Sequence, residues 1–225
     1  MMLNEEKRVR LKTGCESIDS LLGGGWEKRT ISQIYGAAGT GKTNICIQSS
    51  IKTLSSGNDV IYIDVESGFS PDRFLQISGG KEYDGFLLFE PDSLSEQKNI
   101  IKNIERWTTK NLGLVILDSA VALFRVEDEE KLITRDLGVQ MVQLSRIAKK
   151  YDIPVLITNQ VYTNIEEDRI EPVGGMFLQY WSKTILMLEK TEKPNIRKAT
   201  LIKHRSRPEK ISAYFRISEN GLKSV

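Results

Sequence analysis

The stretch Gly36-Ala37-Ala38-Gly39-Thr40-Gly41-Lys42-Thr43 constrains this chain more than any other. It fits the spacing G-x-x-x-x-G-K-[ST], in which glycines permit backbone angles that turn successive N–H groups toward one concavity where an anion can sit. The apolar run Ile31–Tyr35 precedes it, and Lys42–Leu54 follows as an expected helix, so the loop joins a strand to a helix N-terminus. The positive end of that helix adds to the anion site. The setting predicts nucleotide binding, with ATP and Mg2+ as cofactors. Residues 36–43 would surround the phosphates, Lys42 would reach the β- and γ-phosphates, and the Thr43 hydroxyl would hold Mg2+.

Further short β-branched runs read as buried strands: Val60–Val65, Leu114–Leu117, Pro154–Thr158 and Thr184–Leu188. Helical spacing appears in Ser95–Trp107, through Ile100, Ile101 and Ile104, and again in Leu137, Met141, Leu144, Ala148 and Tyr151. Strands alternating with helices imply parallel pairing through crossovers, with helices on both faces. The tail differs, because Ala199–Lys203 and Tyr214–Ile217 have no helix between them and Asn220-Gly221 is a turn signal. The expected fold is therefore α/β, a mostly parallel central sheet flanked by helices, with antiparallel C-terminal edge strands. Its 225 residues suit one such domain, and residues 1–225 are read as a single unit.

Composition narrows the class. Apolar residues at 40% and charged residues at 28% fit a globular chain, and a net charge of +2 leaves any affinity for nucleic acid to a local patch. Residues 1–10 lack the apolar core of a signal peptide, and no apolar run approaches a membrane span. Cys15 and Cys46 are too few for a disulfide framework. A cytoplasmic protein without a membrane partner is expected.

Three strand ends carry polar groups suited to ATP chemistry. Asp118 closes Leu114-Val115-Ile116-Leu117 and could bind the Mg2+ water shell, or simply cap its strand. Glu66 follows Val60–Val65, and a carboxylate there, on the strand beside the phosphate loop, could orient and deprotonate an attacking water. Its alternative is a solvated glutamate. Asn159-Gln160 ends a further strand, and an amide touching the γ-phosphate can report nucleotide state to the loop behind it.

With these residues together, the chain resembles the core of the RecA/Rad51/RadA recombinases, and most closely their short archaeal paralogues. The resemblance runs from Leu11-Lys12-Thr13-Gly14 to Glu219-Asn220-Gly221. It includes Leu22-Gly23-Gly24-Gly25, Tyr62-Ile63-Asp64-Val65-Glu66, Pro71-Asp72-Arg73-Phe74, Ile157-Thr158-Asn159-Gln160-Val161 and Val173-Gly174-Gly175. It implies a RecA-like ATPase core with Glu66 as catalytic carboxylate, Gln160 as nucleotide sensor and Arg73 packed on adenine. The family's N-terminal helical DNA-binding domain and its Phe-x-x-Ala polymerisation motif are not matched. The segments in place of its two DNA-binding loops, Arg125–Lys131 and Tyr162–Pro172, are mostly acidic, with Glu166, Glu167, Asp168 and Glu171 beside Arg169 in the second. Phosphate would be repelled there.

Basic residues instead gather at Lys193, Arg197, Lys198, Lys203, His204, Arg205, Arg207 and Lys210. As alternating strand residues, Lys203, Arg205 and Arg207 would share one face. Three roles compete for them: a solvated edge that resists aggregation, a DNA-backbone patch, and, by the resemblance, a Lys-x-Arg pair reaching a γ-phosphate across a subunit interface. His204 is the only histidine, so no His-based triad is available. Trp107 and Trp181 are expected in the core, and Trp26, beside Gly25, nearer solvent. The resemblance implies an accessory factor of homologous recombination and DNA repair. It would bind single- and double-stranded DNA without sequence preference, hydrolyse ATP slowly and fail to exchange strands by itself. Its expected partners are the main recombinase RadA and a Holliday-junction resolvase, with a homodimer left open. The rival is a KaiC-like signalling ATPase that needs no DNA, and a third option is a binding module in which Glu66 does no chemistry.

Overall fold

The computed structural model describes residues 9–126, 130–164, 169–172 and 175–225. Along the chain run α1 (Glu16–Leu21), β1 (Ile31–Gly36), α2 (Lys42–Leu54), β2 (Asp59–Asp64), α3 (Pro71–Ser78), β3 (Phe86–Phe89), α4 (Leu94–Lys102), β4 (Leu112–Asp118) and α5 (Glu130–Lys150). Then follow β5 (Val155–Asn159), β6 (Val161–Asn164), β7 (Arg169–Pro172), α6 (Gly175–Trp181), β8 (Ser182–Lys190), β9 (Ile196–Lys203), β10 (Ser212–Ser218) and β11 (Gly221–Ser224). One sheet has the order β11-β10-β9-β8-β1-β5-β4-β2-β3. From β8 to β3 the neighbours run parallel, and from β8 to β11 they run antiparallel. The expected mostly parallel sheet with an antiparallel C-terminal extension is present.

Period-two alternation divides the central strands between two cores. On β2, Val60 and Tyr62 join the cluster around α2, while Ile61 and Ile63 join the one around α4, α5 and α6. On β4, Leu114 and Ile116 take the first side, and Val115 and Leu117 the second. The strands are buried on both faces, which is why they read as continuous apolar runs. All the parallel strands point their C-terminal ends the same way, so the turns after β1, β2, β4 and β5 gather at one edge of the sheet.

Local signals set the helix ends. Ser70 accepts the Arg73 N–H at 3.2 Å, Pro71 occupies the first turn of α3, and Gly79 closes it with φ 68°. Ser93 caps α4 in the same way, and Glu96 accepts the Asp92 N–H at 3.0 Å. The predicted helix Ser95–Trp107 is shorter than expected: α4 stops at Lys102 and a 3-10 turn covers Ile104–Arg106. Trp107, half-buried, packs its ring 4.8 Å from that of Phe89.

Two expectations are corrected. Trp26 is fully buried and donates from Nε1 to the Ser49 hydroxyl at 3.0 Å, because it pairs with Leu11 through two backbone hydrogen bonds and is drawn under α2. Within the segment expected as a loop from Tyr162 to Pro172, the described residues up to Asn164 and from Arg169 belong to an antiparallel ribbon, with Val161 opposite Pro172 and Asn164 opposite Arg169. Glu127, Asp128 and Glu129 of the first expected DNA loop, Glu166, Glu167 and Asp168 of the second, and Val173-Gly174 lie outside the described residues.

The Leu11–Trp26 bridge depends on Gly25. Its φ is 125°, and a Cβ there would stand 2.2 Å from the Leu11 carbonyl oxygen. Gly25→Ala is expected to lower stability by about 2 kcal/mol or more, read as a lower urea midpoint at unchanged slope.

Candidate nucleotide site

The phosphate loop spans the gap between β1 and α2. Gly36 ends β1 so close to β8 that a Cβ on it would lie 2.4 Å from the Leu188 carbonyl oxygen. Gly41 starts α2 with φ 102° and no side chain caps the helix, so its first-turn N–H groups remain for the loop. Ala37, Ala38 and Gly39 form an exposed crest, and the Thr40 hydroxyl donates to the Ala37 carbonyl at 2.8 Å. Lys42 Nζ donates to the carbonyls of Gly36 at 2.8 Å and Ala37 at 3.2 Å, which lays the ammonium back along the loop. Motif spacing gave no hint of two more cations at the crest. Arg197 Nε donates to the Gly39 carbonyl at 3.2 Å, and Lys190 Nζ lies 3.3 Å from where a Cβ on Gly39 would sit. They arrive on β9 and β8 from 158 and 151 residues away, as the numbers 197, 190 and 39 give.

Beneath the loop, Asp118 is buried and shared. Oδ2 accepts from the Thr43 hydroxyl at 2.8 Å and from the Tyr62 hydroxyl at 2.7 Å, and Oδ1 accepts from the Thr158 hydroxyl. Three donors from α2, β2 and β5 thus meet one carboxylate of β4. Burial raises the Asp118 pKa, the three hydrogen bonds oppose that rise, and nearby Asp64 adds to it. Burial first, and then the Asp118 charge, push the Tyr62 phenol well up, so it stays a donor. Thr43 and Asp118 offer the hard oxygens that Mg2+ selects. With Lys42 and the glycine-rich crest above them, the residues present fit Mg-ATP.

Glu66 joins the same group by an unexpected route. It was placed on the strand beside the phosphate loop, yet β5 and β4 stand between β1 and β2. The Asp64 carboxylate brings it across. Asp64 accepts from the backbone N–H groups of Glu66 at 3.3 Å, Gly68 at 3.1 Å and Phe69 at 2.8 Å, turning the chain just past β2. Glu66 then accepts from the Ser119 hydroxyl through Oε1 and from the Gln160 amide through Oε2. The expected catalytic carboxylate and the expected sensor amide are therefore hydrogen-bonded to each other. Tyr62, Asp64, Ser119 and Thr158 were missed as site residues, although strand parity puts Tyr62, Asp64, Asp118 and Thr158 on the α2 side.

Arg73 lies across the first turn of α2. Its Nε donates to Asn44 Oδ1 at 2.8 Å, and its terminal nitrogens donate to the carbonyls of Ser218 and Glu219 at 2.7 Å each and to Gln76 Oε1 at 3.1 Å. These bonds fix the guanidinium between α2, α3 and the β10–β11 turn. A Cβ on Gly41 would meet Ile217 Cδ1 at 3.0 Å and Phe215 Cε2 at 3.7 Å, so both are apolar neighbours at this end of the loop.

The basic tail departs from its predicted arrangement. β9 ends at Lys203, and residues 204–211 form a loop containing Pro208, so Arg205 and Arg207 do not alternate along a strand. Lys203 Nζ donates to the Gln179 carbonyl at 2.7 Å, Arg205 pairs with buried Glu27 at 3.1 Å, and Arg207 donates to the Ser20 carbonyl at 3.4 Å. The three side chains diverge. Partial burial, then the nearby Lys183, lowers the Lys203 pKa.

The Rad51 family profile matches residues 4–225. The chain belongs to the Rad51 family. The proteins named DNA repair and recombination protein RadB in Methanoculleus marisnigri and Thermococcus gammatolerans are 46% and 41% identical to it. The alignments cover 97% and 96% of this chain and 100% and 99% of those relatives. A solved crystal structure of the RadB recombinase superposes with a TM-score of 0.84 at 39% identity, covering 96% of this chain and 99% of that one. This agrees with the resemblance to archaeal paralogues and with the RecA-like fold.

Burial gives Asp118 a pH signature. Because its folded pKa is raised above the ordinary 3.8, the folded state holds the proton more tightly than the unfolded one, and stability falls as pH rises through the raised value. Asp118→Asn removes that cost. Its melting temperature should exceed the wild type's by a few degrees at pH 7, and the difference should shrink as pH falls through the raised value toward 3.8 and stay constant below it. Thermal unfolding across pH measures it.

Proposed function

We propose that this chain is a RadB-like accessory protein of homologous recombination and DNA repair that binds Mg-ATP, hydrolyses it weakly and binds DNA without sequence preference. One observation carries the reading: the phosphate loop, the Thr43–Asp118 pair and the Glu66–Gln160 pair converge at one edge of the sheet in a Rad51-family chain. Family membership favours it over the signalling-ATPase alternative. The whole of residues 1–225 is taken as a single RecA-like core.

In this reading the residues of the loop from Gly36 to Thr43 bind the phosphates, with Lys42 on the β- and γ-phosphates. Thr43 and Asp118 hold Mg2+, and Arg73 stacks on the adenine. Bound Mg-ATP supplies the γ-phosphoryl group that water attacks. Glu66 orients that water and takes its proton. Gln160 binds the γ-phosphate side and relays its presence along β6. Glu66 accepts one hydrogen bond on each carboxylate oxygen, which steadies it and leaves a lone pair on each for that water. Lys203, Arg205 and Arg207 serve as contacts to DNA phosphates or to a neighbouring subunit's nucleotide, each first leaving its present partner. RadA and a Holliday-junction resolvase are the proposed protein partners, in the cytoplasm. No helix among the described residues is long and apolar enough to cross a membrane.

Two measurements test this. Glu66→Gln should lower ATP turnover by about 100-fold or more while ATP binding persists; unchanged turnover would leave Glu66 without chemistry. Anisotropy of labelled single- and double-stranded DNA over a salt series should give binding that weakens steeply with salt. Alanine at Lys203, Arg205 or Arg207 should reduce the log–log slope by about 1 per lost phosphate contact. Absence of binding at low salt would contradict the DNA role.

A further inference from the structure

Helix α5 carries two stripes. Leu137, Met141, Leu144 and Ala148 are buried in the second core. Arg135, Val139, Val142, Arg146 and Lys149 recur at intervals of four, three, four and three residues and are exposed throughout. Helical geometry puts these five on one face. Val139 is 58% and Val142 49% exposed, an uncommon state for paired aliphatic side chains one turn apart. Helix α6 lies alongside. The Phe177 ring comes within 3.2 Å of where a Cβ on Gly138 would sit, so this mid-helix glycine lets the two helices close together. Between them, hollows of about 520 and 630 Å3 share Val142 and Trp181 and make one groove along α5.

Charge along the groove is arranged at its ends. Arg135 stands at one end, Arg146 and Lys149 at the other, and the aliphatic pair lies between. Nearby acids are already used: Asp136 pairs with Lys98, Glu105 with Lys150, and Asp152 with Lys28 and Arg29. Arg135, Arg146 and Lys149 form no ion pair among the described residues.

We propose that this groove docks an acidic amphipathic helix of a partner protein. Apolar side chains of that helix seat against Val139, Val142 and Trp181, and carboxylates flanking them meet Arg135 at one end and Arg146 and Lys149 at the other. From Arg135 to Lys149 the face is about 21 Å long, the length of a helix of about four turns. A nucleic acid fits less well, because the cations stand only at the two ends of the groove and Val139 and Val142 between them leave a strand's backbone phosphates without a partner. A second copy fits less well too. Two-fold pairing of α5 with itself, antiparallel, would set Arg135 against Arg146 and Lys149 of the partner copy, like charge on like.

The test titrates a labelled synthetic helix of about four turns, with leucines at i, i+3 and i+7 and glutamates at both ends, against the full chain by anisotropy. A scrambled peptide of the same composition and an oligo-dT serve as comparison probes. The helix should bind and the scrambled peptide should not. Val139→Glu/Val142→Glu should weaken binding by about tenfold or more, with the circular dichroism melt unchanged because both positions are exposed. Arg146→Glu/Lys149→Glu should weaken it separately and flatten its salt dependence, which keeps the test sound if the valine variant is unstable. Equal binding of the scrambled peptide, or none of the helix, overturns the proposal. So does loss of oligo-dT binding alone in the valine variant, which would make the groove a nucleic-acid surface. A wild-type dimer that the valine variant dissociates in sedimentation would assign the groove to a second copy and overturn it as well.

Discussion

The Asp118 carboxylate sits where three strands of the sheet and helix α2 meet. It closes β4, takes hydroxyls from β2, β5 and α2, and neighbours Asp64, whose own carboxylate shapes the turn that delivers Glu66. An isolated carboxylate at such depth would be costly, and each hydrogen bond to a charged acceptor returns about 1.5–3 kcal/mol. The outcome is a strained compromise in protonation and a firm one in geometry. Thr43, proposed to hold a cation, is hydrogen-bonded to Asp118, the acid proposed to hold the same cation. Burial disfavours the charged form of Asp118, and the proposed Mg-ATP site gives such an acid a reason to be there.

Much of this was legible in the sequence because the physics is local. The strand–loop–helix around Gly36–Thr43 follows from glycine spacing and the flanking apolar periodicity, and α2 runs over the expected Lys42–Leu54. The turn at Asn220-Gly221 joins β10 to β11 as its residues predict. Helix α3 carried its own signals in Ser70, Pro71 and Gly79 and was overlooked because the segment is short. β3, all four residues half-buried at a sheet edge, has no alternation to betray it.

What the sequence hid is non-local. Strand order is not written in strand pattern, so Glu66 was assigned to a neighbour of β1 although two strands intervene. Side-chain partners are hidden in the same way: Arg205 finds Glu27, Arg197 finds Gly39, and Trp26 finds Ser49, each across a long separation in the chain. The charge of the tail was visible, and the loop that scatters it was not, since Lys203 and Arg205 read equally well as strand or turn. Cations in this region therefore brace the fold, and some stand at the rim of the phosphate loop.

The central claim is that the Thr43–Asp118 pair and the loop above it form one Mg-ATP site. Differential scanning fluorimetry with ATP, with and without Mg2+, tests it most directly, on the wild type and on Thr43→Ala. Mg-ATP should raise the wild-type melting temperature by several degrees, chelating the metal should remove most of the shift, and Thr43→Ala should show little dependence on Mg2+. A shift of equal size with and without metal, or none with Mg-ATP, would contradict it.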